Sequence, residues 1–304
     1  FISDGAIEFQ RQQVEILRKA KHAWWITHNG LFSHIDYWKF AQDLDFMGVD
    51  VYPGFGQKFE DIAGCAIVNE NARSVSGSYI IPEQQGGAGG QRPYLHETPR
   101  LGQMRLWAYQ GIAHGADGLL HFRWRTCRFG AEIYWNGIID HDNVPRRRYK
   151  EFSQEGAELK RIGARLLGTT LMVQAGVLSE HDQDEAHAGM AMGLPYPAEQ
   201  RNAAFKELWR RHCAVGFVHT NDLFEGPSLL IVPSFIVMDE TLAAKLKAFV
   251  KAGGTVVATA RTATRTRDNQ VFSVTPPALC NDLFGINVEE FGKLNEPSLK
   301  ITSG

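Results

Sequence analysis

The 304 residues carry 44% apolar side chains and a formal net charge of −2. That apolar content supports a sizeable buried core, and the length suits about two domains. The near-neutral charge argues against nucleic acid or an anionic membrane surface as a partner. No apolar run approaches the roughly 20 residues that a bilayer-spanning helix needs, so no membrane partner is expected.

Cysteine usage indicates a reducing compartment. Cys65, Cys127, Cys213 and Cys280 are far apart and form no CxxC pair. Free thiols at such spacing favour a cytoplasmic location. His121 and His141 have no second ligand at metal spacing, so we expect neither a metal nor another cofactor. The chain starts at Phe1 rather than Met, and we expect the native N-terminus to lie upstream.

Helical and strand patterns alternate through residues 1–168. The predicted helices cover about 6–21, 33–44, 57–70, 99–115 and 145–167, and the predicted strands cover 24–29, 46–53, 77–83 and 118–125. Such alternation implies a parallel α/β sheet. A doubly wound open sheet competes with a (β/α) barrel, but the long loops 83–98 and 125–144 both follow strands. A barrel builds its site from loops at that end, so we favour the barrel.

Residues 169–304 predict a second parallel α/β domain of flavodoxin-like pattern. Gly168-Thr169-Thr170 marks the boundary, and residues 180–197 have the composition of an irregular polar loop. The predicted strands are 171–178, 215–219, 228–233 and 255–259, with helices near 200–212 and over 239–252.

Glu83 is the leading candidate for chemistry. It ends the apolar run Ser78-Tyr79-Ile80-Ile81-Pro82 and precedes Gln84 and Gln85, as expected of an acid delivered by a barrel strand. A retaining glycosidase needs two carboxylates ~5–5.5 Å apart, one of them a nucleophile. Tyr52, at the end of the preceding strand, is placed to hold Glu83 ionised by hydrogen bonding. The alternatives are that Glu83 is an acid of a surface loop and that Tyr52 is a tyrosine packed in the core.

Aromatic and polar side chains cluster after the fourth strand. Phe122, Trp124, Phe129, Glu132, Tyr134 and Trp135 fall within 14 residues, with Arg123, Arg125 and Arg128 between them. Rings that stack on a sugar face, beside carboxylates that bind hydroxyls, line carbohydrate sites. Single-stranded nucleic acid would suit the same mixture, but the net charge disfavours it. The glycine-rich run 86–90 lacks a phosphate-loop ending and predicts a mobile loop.

These residues resemble glycoside hydrolase family 42, the β-galactosidases of clan A. The resemblance rests on Thr27-His28-Asn29, on Asp50-Val51-Tyr52-Pro53 and on the stretch from Leu101 through Phe122-Arg123-Trp124-Arg125. It implies a retaining (β/α)8 TIM barrel whose second half, strands five to eight, is residues 1–168. Residues 169–304 would be a flavodoxin-like trimerisation domain, incomplete at the C-terminus, which implies a homotrimer.

The resemblance also assigns roles. Glu83 becomes the nucleophile for hydrolysis of terminal non-reducing β-D-galactosides by double displacement, without a cofactor. The expected substrate-binding residues are Tyr52, Phe122, Arg125, Glu132 and Trp135. Trp135 stands where the family has His, and residues 86–98 contain no Trp. α-L-Arabinopyranosides and β-fucosides therefore stay open as substrates.

The family's acid/base, a Glu in an Asn-Glu pair ending the fourth strand, has no counterpart here. The chain's two such pairs, Asn69-Glu70 and Asn295-Glu296, lie in a predicted helix and near the C-terminus. We therefore expect the acid/base, with half of the barrel, to lie upstream. The 304 residues alone are expected to be inactive and to self-associate. A non-catalytic carbohydrate-binding relative and an unrelated α/β oligomerisation module are the remaining alternatives.

Overall fold

The computed structural model describes residues 1–30, 32–55, 59–91 and 94–292. Within these ranges the α-helices are α1 Ile2–Ala20, α2 Tyr37–Phe40, α3 Phe59–Ser76, α4 Gln103–Ala113, α5 Arg147–Leu166, α6 His181–Ala188, α7 Pro197–Arg210, α8 Glu240–Lys251 and α9 Asn281–Phe284. The strands are β1 Thr27–Asn29, β2 Phe46–Gly48, β3 Tyr79–Gln85, β4 Gly89–Gln91, β5 Tyr94–His96, β6 Ala116–Phe122, β7 Ala175–Ser179, β8 Val215–His219, β9 Leu229–Val232 and β10 Thr255–Ala258.

The first sheet has the order β1-β2-β3-β6, and all three pairings are parallel. Strands therefore neighbour one another in chain order, as in a barrel, whereas a doubly wound sheet reverses direction at a switch point. Met47, Val49, Tyr79 and Ile81 pack with side chains of α1 and α2 in one buried core. The order supports the barrel half over the doubly wound alternative.

The second sheet has the order β10-β9-β7-β8, also fully parallel. Counted from the first strand of this unit, the order is 2-1-3-4, which is the flavodoxin-like arrangement. Its core includes Leu230, Val232, Phe235, Leu242 and Leu246, each at most 2% exposed. The flavodoxin-like prediction is confirmed, while the boundary after residue 168 stays a prediction.

Two local expectations differ from the structure. Residues 181–188 form α6 rather than a loop, and α6 buries Gln183 and His187. Because its inward face is polar, no apolar periodicity announces it. The helix predicted over 33–44 begins later, because Asp36 caps α2 by accepting from the Lys39 N–H at 3.3 Å.

Glu70 of α3 joins the two units. Its fully buried carboxylate pairs with Arg73, lies 3.3 Å from His114 Nδ1, and accepts from the Phe217 N–H of β8 at 3.3 Å. Burial alone would raise the pKa of Glu70, but hydrogen bonds from His114 and Arg73 bring it below its ordinary value. Ala66 and Ile67 beside it pack against the second sheet. The helix α3 thus makes both a polar and an apolar contact with the second unit.

None of the helices in the described part of the chain is both long and apolar enough to cross a membrane.

Candidate active site

The carboxyl ends of β1, β2 and β3 bring polar side chains to one edge of the first sheet. The Val51 N–H donates to the Glu83 carbonyl at 2.8 Å, and the Gln85 N–H donates to the Val51 carbonyl at 3.1 Å. This pairing extends the β2–β3 ladder beyond Gly48. Since side chains alternate along extended backbone, Asp50 and Tyr52 share a face, opposite the buried Val51.

Tyr52 and Glu83 meet at this edge. The Tyr52 hydroxyl donates to Glu83 Oε2 at 2.6 Å, a short charge-assisted hydrogen bond. Burial raises the pKa of Glu83, the Tyr52 hydrogen bond opposes that rise, and the charges of Asp50 and Glu132 add to it. Burial, reinforced by Glu83, also raises the pKa of Tyr52, which stays protonated. The arrangement fixes the orientation of the Glu83 carboxylate through one of its two oxygens.

Three aromatic rings surround Trp135 beside this pair. Trp135 meets Tyr52, His96 and Phe122 edge-on, with ring centroids 5.3, 4.9 and 6.1 Å away. Burial lowers the pKa of His96, so its ring is neutral at pH 7. These rings form an apolar wall next to Glu83, of the kind on which the C–H face of a sugar packs. His96 had no sequence signal apart from its place in the loop after Glu83.

Arg123, rather than Arg125, belongs to this pocket. Its guanidinium pairs with the Glu132 carboxylate and lies 4.4 Å from the centre of the Phe122 ring. Its charge also lowers the pKa of Glu83. Arg125 is exposed, and within the described ranges no hydrogen bond or ion pair joins its side chain to the pocket. Trp124, between the two arginines, packs away from the pocket against Tyr149 and Phe152.

Asp50 is a second carboxylate that the sequence analysis did not single out. Its Oδ2 accepts from Asn29 Nδ2 at 2.8 Å, which links the ends of β1 and β2. Burial raises the pKa of Asp50. In the sequence, the indication that Asp50 belongs to the site was its position two residues before Tyr52.

The glycine-rich run is built into the pocket wall. The Gly90 N–H donates to the Tyr134 carbonyl, and the Asn136 N–H donates to the Ala88 carbonyl, both at 2.9 Å. A Cβ on Gly87 would lie 2.1 Å from the Asn136 carbonyl oxygen, so only glycine allows this approach. The expected mobile loop is instead a hairpin, β4–β5, held against the segment that carries Trp135.

The structure thus brings Tyr52, Glu83, Phe122, Glu132 and Trp135 together and leaves Arg125 outside. Their roles toward a substrate stay predictions. The geometry offers an oriented carboxylate, an apolar wall and a second, arginine-paired carboxylate.

Sequence families match both units. The family described as beta-galactosidase covers residues 1–162, and the beta-galactosidase trimerisation domain covers residues 179–302. Among curated proteins, beta-galactosidase BgaA of Clostridium cellulovorans is 28% identical over 298 residues, which are 96% of this chain and 45% of that protein. Beta-galactosidase BgaH of Haloferax lucentense is 30% identical, over 95% of this chain and 45% of that protein.

Solved structures of beta-galactosidases are similar to this chain as well. The beta-galactosidase of Halorubrum lacusprofundi superposes with a TM-score of 0.83 at 26% identity, over 92% of this chain and 44% of that one. The beta-galactosidase of Bacillus circulans sp. alkalophilus gives 0.88 at 23% identity, over 97% and 44%, and supports the fold. The chain spans about 45% of the length of these curated relatives. By its match over residues 1–162, the chain belongs to glycoside hydrolase family 42, the beta-galactosidases.

Proposed function

We propose that this chain supplies the nucleophile of a retaining β-glycosidase that hydrolyses terminal non-reducing β-D-galactosides. The observation that carries the proposal is the 2.6 Å hydrogen bond from Tyr52 to Glu83 at the carboxyl ends of adjacent barrel strands. That bond favours the ionised form of Glu83 and fixes its orientation, which are the two requirements of a carboxylate nucleophile.

The reaction follows a double displacement. Glu83 Oε1 attacks the anomeric carbon as the bond to the leaving oxygen breaks, which gives a glycosyl ester on Glu83. Water then attacks the same carbon and releases Glu83. Phe122 and Trp135 pack against the sugar's C–H face, and Glu132, held by Arg123, accepts hydrogen bonds from sugar hydroxyls.

Protonation of the leaving oxygen requires a second carboxyl group. In the described part of the chain, Glu132 is paired with Arg123, and Asp50 is hydrogen-bonded to Asn29. We assign the acid/base to a part of the protein outside these 304 residues, in keeping with relatives about twice as long.

A homotrimer is the proposed assembly. The match of residues 179–302 to a trimerisation domain supports it. Sedimentation of the full-length protein at several concentrations tests it, and a stable monomer would contradict it.

The test of the nucleophile is covalent trapping. The full-length protein is incubated with an activated 2-deoxy-2-fluoro-β-galactoside, and the labelled peptide is mapped. We expect the adduct on Glu83 and none in Glu83→Gln, whereas Glu97→Gln, which alters an exposed acid in the following loop, should label normally. An adduct on another residue would refute the assignment. Sugar binding without an adduct or turnover would instead indicate a non-catalytic relative.

Relative turnover of aryl β-galactoside, α-L-arabinopyranoside and β-fucoside then defines the sugar. We expect the galactoside to be fastest. A faster fucoside or arabinoside would show that Trp135 closes the pocket around the C5 substituent.

A further inference from the structure

A cavity of about 240 Å³ lies between the two units, at the carboxyl ends of β7 and β8. Ser179 and His219, the last residues of these strands, are register partners and both line it. The helices α2, α3, α6 and α7 provide the other walls. Ligands of parallel α/β sheets bind beyond this end of the strands. The cavity is separate from the Glu83 pocket, with which it shares no lining residue.

Arg201 of α7 is a cation on the wall of this cavity. Nη1 donates to Ser179 Oγ at 2.9 Å, Nε donates to Asn202 Oδ1 at 3.4 Å, and the guanidinium lies over the Phe217 ring at 5.1 Å. Within the described ranges it forms no direct ion pair with a carboxylate. Burial lowers the pKa of Arg201, and the charge of Asp184 opposes that shift. A guanidinium in such a place offers its remaining N–H groups to an anion.

The neighbouring wall carries a hydrogen-bond donor. His219 stacks flat on Trp38 with centroids 4.2 Å apart, and its Nδ1 accepts the Asn221 N–H at 3.1 Å. Burial lowers the pKa of His219, so the ring is neutral, and the proton must then reside on Nε2. Arg201 and His219 together favour an acceptor-rich group such as a carboxylate.

Asp184 provides the acceptor of the cavity. Its Oδ1 accepts the Ala198 N–H at 2.9 Å, and its charge interacts with the Arg201 guanidinium without a direct ion pair in the described part of the chain. The other acids on the wall are neutralised: Glu180 binds Thr220 and Arg267, and Asp36 binds Lys39. A cation and a carboxylate that are not directly paired therefore face the same space, which suits a ligand with an anionic end and hydroxyl groups.

We propose that this cavity binds a small polyhydroxylated carboxylate. The carboxylate meets the Arg201 guanidinium and His219 Nε2–H, and a hydroxyl donates to Asp184. The cavity of about 240 Å³ is large enough for one sugar acid in open-chain form. A phosphate dianion fits less well, because Asp184 faces the same space.

Calorimetric titration of the full-length protein tests the proposal with D-galactonate as the probe. Galactitol lacks the carboxylate, and hexanoate lacks the hydroxyls. We expect galactonate to bind one site per chain, and both matched compounds to bind at least about tenfold more weakly, since a charge-assisted hydrogen bond contributes about that factor. Equal binding of hexanoate, or tighter binding of inorganic phosphate, would overturn the assigned ligand class.

Variants locate the site. Arg201→Gln should weaken galactonate at least about tenfold, whereas Arg211→Gln, which removes an exposed cation just beyond the same helix, should not. Asp184→Asn keeps an acceptor for the Ala198 N–H but removes the negative charge, so it should reduce the preference for galactonate over hexanoate. Because Asp184→Asn conserves shape, it remains informative if Arg201→Gln unfolds. Unchanged galactonate affinity in folded Arg201→Gln, or an unchanged preference in folded Asp184→Asn, would refute the site.

Discussion

One hydrogen bond limits the rise in the pKa of Glu83. Burial and the nearby charges of Asp50 and Glu132 raise the pKa of Glu83, and the Tyr52 hydroxyl opposes them by donating to the ionised form. In the proposed mechanism, Tyr52 therefore acts through Glu83 and is a positioning residue.

Replacing Tyr52 by Phe should lower kcat/KM by about 10- to 100-fold, the worth of a charge-assisted hydrogen bond. Loss of the donor raises the pKa of Glu83, so the acid limb of the kcat/KM profile should move to higher pH. The measurement is kcat/KM against pH in the full-length protein. Tyr109→Phe is the matched control, because it removes a tyrosine–carboxylate hydrogen bond, to Glu158 at 3.1 Å, on the protein surface. It should change neither the value of kcat/KM nor the position of its acid limb. An unmoved acid limb in Tyr52→Phe would contradict the assigned role.

Arg123 should matter for binding more than for chemistry. It holds Glu132 and lowers the pKa of Glu83, so Arg123→Gln should raise KM and shift the acid limb upward. Arg123→Lys keeps the charge but loses the planar fork, so it should restore the pH profile and leave KM high. Steady-state kinetics across pH separate the two effects. Arg128 is exposed and lies in the same loop, so Arg128→Gln should change neither KM nor the pH profile. If Arg128→Gln were as impaired as Arg123→Gln, the effect would come from general disruption of the loop.

At the scale of elements, the hairpin β4–β5 needs glycine for two reasons: the backbone has a positive φ, and the Tyr134 carbonyl lies where a Cβ would be. Gly89 has φ +95°, and a Cβ there would lie 1.7 Å from the Tyr134 carbonyl oxygen. Gly130 has φ +92° but open space around the same position. Comparing the two separates steric clash from backbone strain.

Gly130→Ala should destabilise by about 1 kcal/mol through backbone strain alone. Gly89→Ala carries the same strain plus the clash, which pushes the hairpin away from the segment bearing Trp135. We expect a larger drop in Tm and a loss of kcat/KM in Gly89→Ala, with near-normal kcat/KM in Gly130→Ala. Equal losses would show that φ, rather than packing, makes glycine necessary at position 89.

The contact between β6 and α5 buries two ionisable groups. His121 Nε2 lies 3.9 Å from Glu155 Oε1, with both side chains 2% exposed. Burial raises the pKa of Glu155 to about 7 and lowers the pKa of His121 to about 4. Both groups are therefore favoured in their neutral forms.

The signs of the two linkages are opposite. Glu155 binds its proton more tightly in the folded state, so its contribution to stability is lost as pH rises from about 4.5 through 7. His121 binds its proton less tightly when folded, so its contribution is lost as pH falls from about 6.5 through 4. Between about pH 4.5 and 6.5 the two slopes nearly cancel, and above that range the penalty of ionised Glu155 remains.

Glu155→Gln should therefore stabilise the protein at pH 8 by up to roughly 3 kcal/mol. This is the free energy that corresponds to the rise in the pKa of Glu155 from 4.5 to about 7. The benefit should shrink toward pH 5. Tm against pH for both proteins measures it. Glu158→Gln, one turn along α5 and paired with Arg105 at the surface, should give no alkaline gain. A benefit independent of pH would contradict the linkage.

The limits of sequence reasoning follow from the same elements. The strands and most helices were predicted because their apolar periodicity is strong. Glu83 and Tyr52 were found because they end apolar strands. α6 was missed because two of its three buried residues, Gln183 and His187, are polar. Arg123 was missed because the inward-facing side of a strand end depends on contacts with Glu132 and Phe122 that only the folded chain shows.

At the scale of the whole molecule, the two sheets differ in how they are covered. The second sheet packs a core cluster of twelve buried residues. The first sheet has open edges in the described part of the chain, because β1 pairs only with β2 and β6 only with β3. Leu120 on β6 is 54% exposed and Trp25, just before β1, is 83% exposed. Unpaired parallel edges next to apolar side chains promote association.

The 304 residues expressed alone should therefore self-associate and should not hydrolyse glycosides. The edges of β1 and β6 provide the association surface. Among the described residues, the carboxylates near Glu83 are Glu132, paired with Arg123, and Asp50, hydrogen-bonded to Asn29, so neither is free to protonate the leaving oxygen. Light scattering measures the first property, and release of nitrophenol from an aryl β-galactoside measures the second. The full-length protein is the positive control in both. Turnover by the 304 residues that Glu83→Gln abolishes would place the acid/base within this chain, and Asp50 and Glu132 would then be the carboxylates to replace.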